Sequence, residues 1–538
     1  MKNISLYVVL ILAIIFPSCV SNKPEKNDRI VVAIPADAGS LNPLFAFSFQ
    51  EVNITELLYL SLVQNEWSDS VGNVKTSPMA AKNWIWNDDS TTITVNLRDD
   101  IYWRDGHKLT AEDVIFSFDV YSDPDVQSRF FGTFNKFYLE ENQHIDLKKS
   151  FESDNQFTLK IHFKPHSNPG LFDIAPPILP KHVFSNFDRK KLAQLEKGND
   201  SVTCGPFYLY KWNPTQSIVL KADEKSFLYK PGKVKELIFK VVPDYNSRIT
   251  QLKNGEIDFM ENVKPDQVND LKALNNIKIA YVKGREYDYA GWNNSNVLFS
   301  NPKVRYASTC AINREEILSE YLGNHGDLAV GPVAPIFRDF YNHDLKPIEY
   351  NPEKAKELLA AEGWKDLNQD GIIEKNGVQF SFTLNYAGGN PRREFAATVI
   401  KNNLKAIGID VKTEPLEPGV LAEKMFTHKL NAWLAGWSVP IIMDLKPYWF
   451  SDLTLAPFNL SGYKNTEVDE LLEKIDKSKA GNYKNTFYKK LQEILYKDEP
   501  VTFLYWIDNI VAYNDRLENI KITPLGSVHN CWKWSVKN

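Results

Sequence analysis

A serine nucleophile needs small neighbours that let a tight strand-to-helix turn lift its hydroxyl, and the nearest approach here is Gly436-Trp437-Ser438-Val439-Pro440. It ends in Pro where a second Gly is required, so acyl transfer is excluded. The sequence contains no H-E-x-x-H, no paired C-x-x-C and no G-x-x-x-x-G-K. Among nine histidines only His162 and His166 are close. Pro165 between them rules out a helical i,i+4 metal pair. Asp366-x-Asn368-x-Asp370-Gly371, with Ile373 at position 8, matches the first half of a calcium loop. Position 12 is Gly377 instead of a bidentate Glu, which leaves few protein ligands, and Asx-rich turns form without metal. No catalytic residue, no metal ligand and no cofactor is assigned.

The elements around these residues describe a large folded chain. Its 538 residues suggest about three domains, and 43% apolar content with 24% mixed-sign charge excludes disorder. A net charge of −5 without basic runs excludes a phosphate-backbone binder, so no nucleic-acid partner is expected. Alternation predicts strands at Ile93-Val95-Leu97, Phe157-Leu159-Ile161-Phe163, Ile218-Leu220 and Phe380-Phe382-Leu384-Tyr386. Helices are predicted after Thr110, Asn351 and Thr466, and over Ala396–Ile407 up to Gly408. Interleaved helices and strands make the class α/β or α+β.

At the N-terminus, Lys2 precedes an apolar stretch of 13 residues, Ile4 to Phe16, short of the ~20 that span a bilayer. This reads as a signal peptide over 1–18. Phe16-Pro17-Ser18-Cys19 resembles a bacterial lipobox, with Phe16 where Leu is usual. That resemblance implies acylation of Cys19, a polar leash over 19–28 and a membrane-anchored lipoprotein facing the periplasm or cell exterior. Export permits disulfides, but Cys204, Cys310 and Cys531 allow at most one pair. Buried free thiols are the expectation.

Several segments, in order, are similar to solute-binding protein family 5, the extracytoplasmic peptide- and nickel-binding components of ABC importers. They are Ser40-Leu41-Asn42-Pro43-Leu44; Asp105-Gly106-His107-Lys108-Leu109-Thr110-Ala111-Glu112-Asp113-Val114; Cys204-Gly205-Pro206-Phe207; Gly255-Glu256-Ile257-Asp258; and Val304-Arg305-Tyr306-Ala307 with Ala311-Ile312-Asn313-Arg314. The resemblance implies an α/β two-lobed periplasmic-binding-protein fold, type II-like, with an extra domain inserted in the first lobe. The first lobe would comprise 29–66, 203–290 and 507–538, the inserted domain 67–202 and the second lobe 291–506. Two crossover strands would join lobes that close over ligand.

In peptide-binding relatives an Asp just after a Gly-Trp turn meets the ligand's ammonium. Here Gly436-Trp437-Ser438 is kept, but the third position after Trp437 is Pro440, and Asp444 lies four residues further on. Asp444 can replace that Asp only if the loop is rearranged. Trp437 is expected to line the cleft, with Trp292 among the ligand contacts. The loop Asp37-Ala38-Gly39-Ser40 could present backbone groups, and Arg392 or Arg393 could clamp a carboxylate bidentately. The expected protein is not an enzyme. It is a monomeric, lipid-anchored binding protein that delivers oligopeptides to an ABC importer permease. The same fold with a metal chelate or oligosaccharide as ligand, or as a signalling-peptide sensor, stays open because of Pro440.

Overall fold

The computed structural model describes residues 28–194, 202–478 and 482–537. The signal peptide, Cys19 and most of the leash lie outside them.

The strands in chain order are β1 (Arg29–Ile34), β2 (Val63–Ser68), β3 (Asn73–Pro78), β4 (Ala81–Trp86), β5 (Thr92–Leu97), β6 (Phe151–Asn155), β7 (Thr158–His162), β8 (Phe207–Asn213), β9 (Ser217–Ala222) and β10 (Glu236–Val241). There follow β11 (Phe259–Met260), β12 (Ile277–Trp292), β13 (Gly326–Leu328), β14 (Glu374–Lys375), β15 (Val378–Gln379), β16 (Ser381–Ala387), β17 (Asp410–Leu416), β18 (Ala432–Ser438) and β19 (Val501–Asn514). One path of pairing, β17-β16-β18-β12-β19-β11-β1-β10-β9-β8, runs through both lobes, with β13 paired to β19. A separate four-stranded sheet, β4-β5-β7-β6, carries the helix Ala111–Ser122, and its apolar face packs into the first lobe's core. The alternating stretches predicted as strands are β5, β7, β9 and β16, because every second side chain faces a core.

Two long antiparallel strands hold the lobes together. The first half of β12, up to Val282, pairs with Asn509–Asn514 of β19, and from Glu286 onward it pairs with Val501–Ile507. The register shifts between those halves, at Gly284, where an added Cβ would lie 1.8 Å from the Ile507 carbonyl oxygen. The bulge therefore admits only glycine, and it is the natural place for the pair to bend. The expected boundaries at 66/67, 290/291 and 506/507 fall inside β2, β12 and β19, because these strands run uninterrupted across them.

The residues that carry the family resemblance prove to be scaffold. Asp258 accepts from the Arg516 guanidinium at 2.9 and 2.6 Å and from the Val31 amide at 2.9 Å, which ties β1 to the end of β19. Asp113 accepts from the Thr110 and Lys181 amides. Arg305 gives its donors to the carbonyls of Phe299, Asp498 and Glu499, and Arg314 to those of Ala329, Phe503 and Ile348. Cys204, Cys310 and Cys531 are buried and free.

Because both arginines spend their donors on backbone, the fully buried Glu499 keeps only the Thr309 hydroxyl, 2.7 Å away. Burial pushes its carboxyl up to about 8, against the Thr309 bond and the charges of Arg314 and Arg305. The unfolded chain releases this proton near 4.5, the folded chain near 8. Within that window the native state binds more protons, so its stability falls as pH rises, by at most about 1.4 kcal/mol per unit. Urea unfolding of Glu499→Gln should show a flatter pH dependence between those values than the wild type. An unchanged slope would show Glu499 ionised in the folded protein.

Candidate functional site

Strand direction places the site. In the first lobe β1, β10 and β11 run parallel, and in the second β16, β17 and β18 run parallel. Loops that follow the C-terminal ends of parallel strands are where such sheets bind ligands, since helix starts and free backbone groups converge there. Both sets of ends lie beside the crossover: Asn262, just past β11, donates its amide to the Asn509 side chain, and Ser438, ending β18, pairs with Glu286. The two walls of the cleft thus rise from one bulged strand pair.

On the first-lobe wall, Ile34, Pro35, Phe49, Asn53, Glu261 and Val528 surround a cavity. Phe49 is half exposed, and burial raises the Glu261 carboxyl despite a bond from the Ser527 hydroxyl. The loop Asp37–Ser40 sits next to this wall but is occupied with its own fold. Asp37 accepts from the Trp212 indole at 3.1 Å and the Thr215 amide at 2.8 Å. The amides of Gly39 and Ser40 donate to Glu51, which also takes those of Phe47 and Ser48 at the start of the helix Phe49–Leu58. Burial opposes the Glu51 charge, yet these bonds hold its carboxyl below the usual range. The expected presentation of backbone donors by this loop is therefore corrected: Glu51 has taken them.

The second-lobe wall is aromatic. Trp437, half-buried on β18, meets Tyr448 edge-on at 5.1 Å and Phe458 at 5.4 Å, and Tyr448 stacks on Phe458 at 5.4 Å. Tyr287, Tyr289 and Trp449 close the pocket behind them. Asp444 is solvent-exposed, with Oδ1 accepting the Lys446 amide. Enclosure by the surrounding wall raises its carboxyl, an effect the Lys446 amide opposes and nearby Asp476 reinforces. Its charge is felt at Tyr448, so the exposed acid and the aromatic cluster share one wall.

Arg392 and Arg393 begin the helix Pro391–Lys405, immediately after β16. They are not free clamps. Arg392 donates Nε to Asp288 Oδ2 at 2.7 Å and Nη2 to Glu286 at 2.9 Å, while Arg393 Nη2 reaches Asp288 Oδ1 at 3.0 Å. Asp288 is 1% exposed and also accepts from the Tyr505 hydroxyl. Burial works against the Arg392 charge, but Asp288 and Glu286 more than compensate and raise its pKa. Gly436, opposite Asp288 in the ladder, leaves room for this cluster: a Cβ there would lie 2.5 Å from Asp288 and 2.7 Å from Arg393. Trp292 is also corrected. It is 0% exposed, donates to the Thr502 hydroxyl at 3.1 Å and stacks on Phe299 in the second lobe's core.

Tyr448, Phe458, Asp288 and Glu261 were not foreseen from sequence. Asp288 carried a readable signal: an acid on the same strand face as Ala290 and Trp292 must find a cation when buried. Among the described residues Asp105, His107 and His182 form the one cluster with metal-ligand spacing. Each imidazole there is already spent on a different Asp105 oxygen, at 3.2 and 2.7 Å.

Known proteins share this fold. Residues 75–455 match the bacterial extracellular solute-binding proteins, family 5 Middle. The oligopeptide-binding protein AppA of Bacillus subtilis is 31% identical, covering 98% of this chain and 97% of AppA. The structure of B. subtilis AppA in complex with a nonapeptide superposes with a TM-score of 0.74 at 30% identity, over 95% of this chain and 99% of that one. NikZ from Campylobacter jejuni in complex with Ni(L-His) gives 0.75 at 26% identity, over 95% and 99%.

Proposed function

The chain belongs to the bacterial extracellular solute-binding proteins of family 5, binding proteins and not enzymes, and from there we propose that it captures oligopeptides between its lobes and delivers them to an ABC importer. The observation that carries this reading is end-to-end similarity to an oligopeptide-binding protein, at 31% identity. An aromatic wall beside an exposed carboxylate suits such a ligand, since apolar side chains pack on rings while an ammonium seeks the acid. In this reading Trp437, Tyr448 and Phe458 hold side chains, and Asp444 stands in for the acid absent at Pro440. Mass spectrometry of what is released when residues 28–538 are purified and denatured tests it: peptides are expected. The similarity to a nickel–histidine binder, together with Pro440, favours a metal chelate as the second reading. Recovery of a chelate or a sugar in place of peptides would replace the first.

Closure of the lobes would bend β12 and β19 at Gly284. Small-angle scattering with saturating ligand should give a smaller radius of gyration than without it, and identical profiles would rule out closure.

Among the described residues no helix is long and apolar enough to cross a membrane. We propose that a lipid on Cys19 holds this monomer at the membrane, as multiple acyl chains do. Wild-type protein should enter the detergent phase in a cloud-point extraction, whereas Cys19→Ala stays aqueous. Aqueous wild-type protein would end the lipoprotein reading.

A further inference from the structure

Just ahead of the helix Ala111–Ser122 the chain builds a side-chain cluster whose members line neither cleft pocket. Tyr102 and Lys108 pair as an isolated bridge, and between them the chain turns tightly, with Gly106 donating its amide to the Trp103 carbonyl at 2.8 Å. Gly106 has a φ of +95°, a conformation that favours glycine. This turn sets Asp105 and His107 side by side. Asp105 Oδ1 accepts the His107 amide at 3.2 Å and lies 3.2 Å from the imidazole Nδ1.

His182 arrives from 77 residues further along the chain. It lies on the short helix Lys181–Phe184, whose start is held by the Lys181 amide on Asp113 at 2.9 Å, and the buried Trp103 meets its ring edge-on. Its Nε2 stands 2.7 Å from the other Asp105 oxygen, and its ring stacks on that of His107 with centroids 4.1 Å apart. Two imidazoles and a carboxylate thus each offer one ligand atom within 4.8 Å of the others. Sequence spacing could not show this, because the second imidazole is supplied by a distant segment.

We propose that Asp105, His107 and His182 bind a first-row transition-metal ion, with Zn²⁺ the best match and water in the fourth position. On a tetrahedral zinc ion with bonds of ~2.0–2.1 Å, neighbouring ligand atoms stand roughly 3.3 Å apart. The N···O separations of 3.2 and 2.7 Å already lie near that value, so side-chain adjustment is enough to receive the ion. The hydrogen bonds to Asp105 do not stand against it. A neutral imidazole carries one proton, and moving that proton to the other ring nitrogen frees His107 Nδ1 and His182 Nε2 as lone-pair donors. Two nitrogens with one oxygen suit zinc, whereas Ca²⁺ and Mg²⁺ take oxygen ligands. The ion would fasten the turn between Tyr102 and Lys108 to the helix Lys181–Phe184.

The test titrates ZnCl2 into untagged full-length protein, stripped with EDTA and dialysed, by calorimetry and thermal unfolding. One equivalent should bind, and at about tenfold excess over Kd the melting point should rise by about 2–4 °C. His107→Gln, at a side chain 64% exposed, should melt like the wild type in EDTA yet bind Zn²⁺ at least about tenfold more weakly. His182→Gln should lose the zinc response too, whereas His144→Gln, whose imidazole pairs with Asp119 instead, should keep it. Absence of heat and of a melting shift in wild type, wild-type affinity in His107→Gln, equal weakening in His144→Gln, or an equal response to Mg²⁺ would each overturn the assignment.

Discussion

Asp288→Ala is expected to lower the stability of the second lobe by about 3–5 kcal/mol, the cost of breaking a buried ion pair by removing one partner. The side chain is 1% exposed and accepts from both Arg392 and Arg393. Its loss would leave two guanidinium groups beside β18, with only Glu286, itself half exposed, to answer one of them. Asp288→Asn keeps an acceptor but loses the charge, and should fall between the variant and the wild type. Urea unfolding followed by tryptophan fluorescence would read the difference. A loss under about 1 kcal/mol, the range of exposed pairs, would mean that solvent reaches the cluster. It would also return Arg392 and Arg393 to the list of groups available to a ligand carboxylate.

Trp437→Ala is expected to weaken ligand binding by about 1–3 kcal/mol, roughly 5- to 150-fold in Kd. The indole is held edge-on by Tyr448 and Phe458, so truncation removes one wall of the pocket and loosens the other two rings. Asp444→Asn should cost less. The side chain is exposed on the surface, where a single ion pair contributes little. Calorimetry with the co-purified ligand compares the two. If Asp444→Asn abolishes binding while Trp437→Ala binds normally, the carboxylate is the anchor and the rings are only scaffold. A free and an N-acetylated form of one peptide, titrated into Asp444→Asn and wild type, would then show whether the ammonium is what Asp444 receives.

Short-range signals read well. Thr110 and Asp113 form a reciprocal cap at the helix Ala111–Ser122, and Asn351 caps its helix, because a cap needs only residues three apart in sequence; the start expected at Thr466 is capped one residue earlier, by Asn465. Alternation located β5, β7, β9 and β16 for the same reason: burial of one sheet face repeats every second residue. The ordered motifs led to the family, yet Asp113, Arg305 and Arg314 bind backbone amides and carbonyls, and Asp258 binds Arg516 and the Val31 amide. These motif residues are charged groups that satisfy buried carbonyls and amides.

The roles of individual polar residues were decided elsewhere. Arg392 and Arg393 look like ligand clamps until β12 brings Asp288 beneath them from 104 and 105 residues away. Asp37, Gly39 and Ser40 look available until Glu51 and Trp212 are in place. By itself, the sequence determined the class, the caps, the strand faces and the family, all of which depend on residue type and near-neighbour spacing. Only the tertiary structure decided which charges were spent and which remained open, because a carboxylate or guanidinium is satisfied by whatever long-range pairing sets 3 Å away, and no local pattern records that distance.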